Sequence, residues 1–153
     1  MPSELAGAAG QGPAALVELG VPGGIDGLDF LPLEDGAELR LATFGQGGTH
    51  VIVGVRCTGF GRRAFVSATL TNLTTGLVVA EPSPARPQLL YCAEGEGPSD
   101  ACDLVPYLVH ASGLTETDDE KDGLRVRLTA RAHNEAGVMG EGSREVVLST
   151  ADL

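Results

Sequence analysis

The sequence predicts an all-β fold, an antiparallel β-sandwich of about 7–9 strands. Three observations carry that expectation. Several segments alternate apolar and polar residues with a period of two, the mark of a strand with one buried face. The 22 glycines and nine prolines recur between those segments as frequent turn signals. No stretch shows the longer apolar period of a convincing helix.

The elements follow in order. Residues 1–14 are rich in small residues and read as a flexible N-terminal tether; residues 15–153 form a single β-sandwich domain, the expected number for 153 residues. "ALVELGV" (15–21) is expected as an edge strand, or as the crossing from the tether into the domain, broken by "PGGIDG", and "LDFLPL" (28–33) as a short extended segment. In "AELRLAT" (37–43), Leu39 and Leu41 face inward while Glu38 and Arg40 face out. "THVIVGVRCTG" (49–59) is the strongest strand, with Val51, Val53, Val55 and Cys57 on one face. "RRAFVSATLTNL" (62–73) turns Val66, Ala68 and Leu70 inward, "NLTTG" turns, and "GLVVAE" (76–81) returns.

"PSPARP" is a proline-rich corner unfit for a central strand. "QLLYC" (88–92) leads into the cysteine loop and "DLVPYLVHASG" (103–113) leaves it, with Pro106 demoting the start of that strand. "LRVRLTARAHN" (124–134) alternates without a fault: Leu124, Val126, Leu128, Ala130 and Ala132 inward, Arg125, Arg127, Thr129, Arg131 and His133 outward. "EAGVMGEG" is a turn-rich connection before the last strand, "SREVVLST" (143–150). With 4% aromatics and no Trp, the core must come from Val, Leu and Ala.

A net charge of -11 argues against a nucleic-acid or anionic-membrane surface, which requires basic residues. No segment reaches the roughly 18 apolar residues of a membrane span. "MPSELAGAAGQGPAAL" lacks the basic start and apolar core of a signal peptide. The expectation is an extracytoplasmic protein of the periplasm or cell surface whose signal or lipid anchor is absent from this chain, with Met1 an added start residue.

The compartment turns on "YCAEGEGPSDAC" (91–102). A disulfide between Cys92 and Cys102 would close a short loop and contribute on the order of 2–3 kcal/mol. Two free thiols, and a cytosolic home, are the alternative. The single widely spaced pair lacks the short paired spacing of a zinc site. Cys57 shares a face with three valines and reads as a small buried hydrophobe.

Other motifs are weaker. "GQGGTH" (45–50) opens a strand rather than a helix and no Lys follows, so it is no phosphate loop. His50, His110 and His133 lie on different strands and read as separate side chains rather than a copper or zinc site. The acidic "ETDDEKDG" (116–123) misses the calcium-loop register and reads as a solvated loop. Ser67, Ser83, Ser99, Ser112, Ser143 and Ser149 lie in no G-x-S-x-G elbow, and no acid–base pair of carboxylates is assignable, so no enzyme, catalytic residue, metal or cofactor is expected. Arg125, Arg127, Arg131 and His133 form a candidate binding face; carboxylates such as Glu145 or Glu38 are expected to pair with the arginines, the alternative being a face for an anionic glycan or acidic peptide.

The closing segment "LRVRLTARAHNEAGVMGEGSREVVLS", through Asn134, Gly137, Val146 and Leu148, resembles the last strand pair of bacterial immunoglobulin-like and fibronectin-type modules. "LPLEDGAELRLATFGQGGTHVIVGVR" (31–56) resembles a segment of uncharacterised exported proteins and lipoproteins of myxobacteria and their relatives, on Asp35, Gly36, Gly45, Gln46, Gly47, Gly48, His50 and Val51. The resemblance implies an exported immunoglobulin-like sandwich and carries no known activity. The expected function is non-enzymatic, structural or binding, toward an unknown protein or glycan. The rivals are a subunit of a larger surface or shell assembly, and a periplasmic metal-binding protein.

Overall fold

The computed structural model describes residues 15–43, 49–80, 88–91, 101–110 and 118–150. The expected tether, "PSPARP" and Cys92 lie outside them. The described chain is all-β and sandwich-like, in one sheet curled into a half-barrel. Its ten strands are β1 (Leu16–Gly23), β2 (Asp29–Pro32), β3 (Ala37–Thr43), β4 (Thr49–Thr58), β5 (Arg63–Asn72), β6 (Val78–Ala80), β7 (Gln88–Tyr91), β8 (Ala101–His110), β9 (Arg125–His133) and β10 (Met139–Ser149). One helical turn, α1 (Asp118–Lys121), precedes β9.

The order is β2-β1-β4-β3-β10-β9-β5-β6, with β8 on β4 and β7 on β5. β3 joins the two halves. Ala37 to Arg40 run parallel to Val146 to Ser149 of β10, and Leu41 to Thr43 run antiparallel to Val51 to Thr49 of β4. The alternation of Leu39 and Leu41 therefore feeds one core from both halves, and both side chains are buried. That core holds Val17, Leu41, Val51, Val53, Val55, Val66, Leu70, Val109, Val126, Leu128, Val146 and Leu148, with Phe60 and Tyr107 as its aromatics. The Val, Leu and Ala core expected from composition is the one observed. Tyr107 crosses it from β8 to a hydrogen bond with the Ala68 backbone on β5.

The β9–β10 hairpin is pinned by Asn134. Its Oδ1 accepts from the Ala136 and Val138 amides at 3.0 and 2.9 Å, and its Nδ2 donates to the Phe60 carbonyl at 2.8 Å. One asparagine thus shapes the turn and ties it to the β4–β5 corner.

Three local expectations need correction. β10 begins at Met139, four residues before the expected 143, because Gly140 and Gly142 lie within the strand. β1 packs across this stretch. A Cβ on Gly142 would overlap the Val17 carbonyl, and one on Gly140 would stand 3.0 Å from the Phe60 ring and 3.2 Å from Val17 Cγ2. These glycines serve close approach, not a turn. Second, β1 is no edge: it pairs with β4 over Leu16 to Gly20 and with β2 over Gly20 to Gly23. Third, Pro106 lies inside β8. The register steps from Val53↔Tyr107 to Val55↔Leu104, so Gly54 opposes both Val105 and Pro106 in a bulge that spares the missing N–H.

Gly142→Ala is expected to cost about 1–3 kcal/mol, the usual penalty of overpacking a core. Ser143→Ala, on the opposite face of β10, should stay within ~0.5 kcal/mol. Urea denaturation of both variants checks the difference.

Candidate functional site

The outer face of β5, β9 and β10 carries the arginine stripe. Strand alternation places Arg125, Arg127, Thr129, Arg131 and His133 on one side of β9. Register then sets Glu145 opposite Arg127, Ser143 opposite Thr129 and Glu141 opposite Arg131. On the other flank Thr71, Thr69 and Ser67 of β5 face Arg127, Thr129 and Arg131. Glu145 takes both Arg127 (2.9 Å) and Arg125 (3.5 Å), while Arg131 Nε meets Glu141 at 2.6 Å. The expected pairing with Glu145 is observed. Glu38 stands opposite Val147 in the register, and Glu141 is the partner sequence reasoning missed. Its segment read as a turn, and only the true start of β10 aligns it with Arg131.

His133 departs from the stripe. Its ring stacks on Phe65 at 5.3 Å with an interplanar angle of 22°. The remaining side chains border an open groove of about 690 Å³. Arg127, Arg131 and Arg144, the carboxylates of Asp35, Glu141 and Glu145, and the hydroxyls of Thr71, Thr129 and Ser143 line it. The Asp35 carboxylate accepts the Glu145 amide at 2.9 Å, and Arg144 Nε donates to the Leu33 carbonyl at 3.0 Å. The groove therefore has donors and acceptors of both signs, and its three guanidinium groups are held by neighbours. Arg125 lies beyond it, beside a smaller hollow with Glu120 and Asp122.

A different arrangement covers the outer face of β1, β4 and β8. Gly20 and Gly54 stand opposite each other in the register. The Phe30 ring lies over both, filling the room their missing side chains leave, and is itself buried. The Arg56 guanidinium caps that ring, 4.4 Å from its centroid. Asp103 grips Arg56 in a bidentate pair, Nε at 2.7 Å and Nη2 at 3.0 Å, and raises the Arg56 pKa. Nothing in the sequence singles out this cluster, since its members come from four strands.

The remaining candidates are placed as follows. Cys57 is a buried free thiol. Burial, then the Asp103 charge, pushes its pKa up to about 12. Cys102 stands directly opposite it in the register, and Cys92 lies outside the described residues. His50 and His110 are register partners on β4 and β8, whereas His133 is on β9. Among the described residues no three His, Cys, Asp or Glu side chains gather to hold a metal ion. Of the acidic segment, residues 116 and 117 and the glycines of 45–48 lie outside the described set; Asp122 accepts the Thr150 amide at 3.1 Å. No described helix is long and apolar enough to cross a membrane.

The Cys57 thiol makes stability pH-dependent. Its folded pKa lies above the ordinary 9.0, so between about pH 9 and 12 the unfolded chain loses a proton that the folded chain keeps. This contribution is complete below pH 9 and falls as pH rises, by about 1.4 kcal/mol per pH unit. Cys57→Ala should flatten the fall, read as the difference between the two proteins' urea stabilities at pH 8 and pH 10. No protein-family model matches the chain, and no curated protein is significantly similar to it.

Proposed function

We propose that this chain is a non-enzymatic, extracytoplasmic binding module that presents the outer face of β5, β9 and β10 to a glycan. The groove of about 690 Å³ carries the proposal. Its three guanidinium groups and three carboxylates balance in charge, which suits a neutral, hydroxyl-rich ligand better than an anion. Ion pairs and backbone contacts hold the donors in place, so little side-chain entropy remains to be lost on binding. The Arg127–Glu145 and Arg131–Glu141 pairs are exposed and each is worth little in stability, about 0–1 kcal/mol. Their charged heads thus remain available to a ligand at small cost.

The immunoglobulin-like reading rests on the resemblance of the closing segment, which forms the β9–β10 hairpin. The extracytoplasmic compartment rests on the Cys92–Cys102 staple. Its support is the short Cys92–Cys102 interval in the sequence, with Cys57 a separate, buried free thiol.

A second reading, a subunit of a larger assembly, has its own support. β2 ends the strand order, and Ile25, Leu28 and Leu31 beside it are exposed. An exposed edge with apolar side chains invites strand addition by another copy.

A glycan array probed with the wild type and with Arg127→Ala/Arg131→Ala separates these readings. The binding proposal expects retained glycans and at least a tenfold loss in the double variant. Absence of any glycan signal, together with a mass that rises with concentration in sedimentation, would replace it with the assembly.

A further inference from the structure

The β4–β8 pairing sets two sulfur-bearing residues face to face. Cys57 and Cys102 are direct register partners, and the Arg56–Asp103 pair stands next to them in the same ladder. Directly opposed residues in an antiparallel pair have Cα atoms about 4.5–5.5 Å apart and project from the same face. A disulfide requires a Cα separation of roughly 4.4–6.8 Å. Both residues are buried, Cys57 at 1% and Cys102 at 9% exposure, so both sulfurs belong to the same core face.

We propose that Cys57 and Cys102 are a latent cross-strand disulfide pair, reached when Cys57 takes Cys102 from its partner in the 92–102 loop. This extends the staple put forward above and rests on it for the exchange route. The Cys57 thiolate attacks Cys102 Sγ, the bond to Cys92 breaks, and Cys92 leaves as a thiolate that takes up a proton. One disulfide is lost and one is formed, so no outside oxidant enters. The covalent tie moves from a loop to the β4–β8 ladder. Cys92 ends as a free thiol.

Burial and Asp103 keep Cys57 protonated at neutral pH, so the exchange is slow in the closed sheet. Its rate should rise about tenfold per pH unit through the mildly alkaline range, as the thiolate fraction does. Loss of the Arg56–Asp103 grip should speed it further by loosening the register of β8.

The test uses the full chain. Cys92→Ser is treated with oxidised glutathione at pH 8, alkylated in denaturant and mapped by mass. The expected product is two hydrogens lighter and carries a Cys57–Cys102 peptide. Two alkylated thiols, or glutathione adducts alone, overturn the pair. In parallel, wild type from an oxidising compartment is held at pH 9 in sub-denaturing urea and mapped. A Cys57–Cys102 peptide with an alkylated Cys92 supports the exchange; an unchanged Cys92–Cys102 peptide overturns it. Three alkylated thiols at the outset would sink the staple alone, and the Cys92→Ser arm would still decide the pair. Cys57→Val, which keeps the valine face of β4, must form no link in either arm.

Discussion

The fold depends on how closely β1 can lie on β10. Two strands separate them in the sheet order, and the curl of the sheet brings them back together across the core. Gly142 admits the Val17 carbonyl, and Gly140 admits Phe60 together with the Val17 side chain. A side chain at either position would hold the two halves apart and open the Val and Leu core between them. β3 closes the same end by pairing with β10 through its first half and with β4 through its second.

The two outer faces use their strands differently. On β5, β9 and β10 the outward residues are charged or hydroxyl-bearing and pair across the ladder, a surface compatible with water or a polar ligand. On β1, β4 and β8 two facing glycines make a flat floor for Phe30, capped by a guanidinium that Asp103 fixes. The first face leaves its polar groups within reach. The second spends its single arginine on internal order, because the same guanidinium covers an aromatic ring and locks the register of β8 on β4.

That register has a chemical consequence. Once Arg56 faces Asp103, Cys57 must face Cys102, since antiparallel pairing advances one residue on each strand. Burial raises the pKa of the neighbouring thiol, and the carboxylate that holds the guanidinium adds to the rise.

The alternation of residues determined most of the strands and both faces of β9. Val51, Val53, Val55, Val66, Leu70, Val126 and Leu128 are core because a period of two leaves them no other side once one face is buried. The arginine stripe followed from the same rule, whereas the choice of Glu145 over Glu38 as its partner was made by the strand register. Only tertiary structure decided that Gly140 and Gly142 extend a strand, because the sequence signal for a turn and for close backbone approach is the same glycine. Placing Glu141 against Arg131 depended on that decision. Likewise, Pro106 reads as a strand breaker until the bulge opposite Gly54 gives it a site needing no N–H. The Phe30–Arg56–Asp103 cluster and the facing of Cys57 and Cys102 join residues distant in the chain. Local pattern carries no information about such neighbours, and strand order and register alone bring them together.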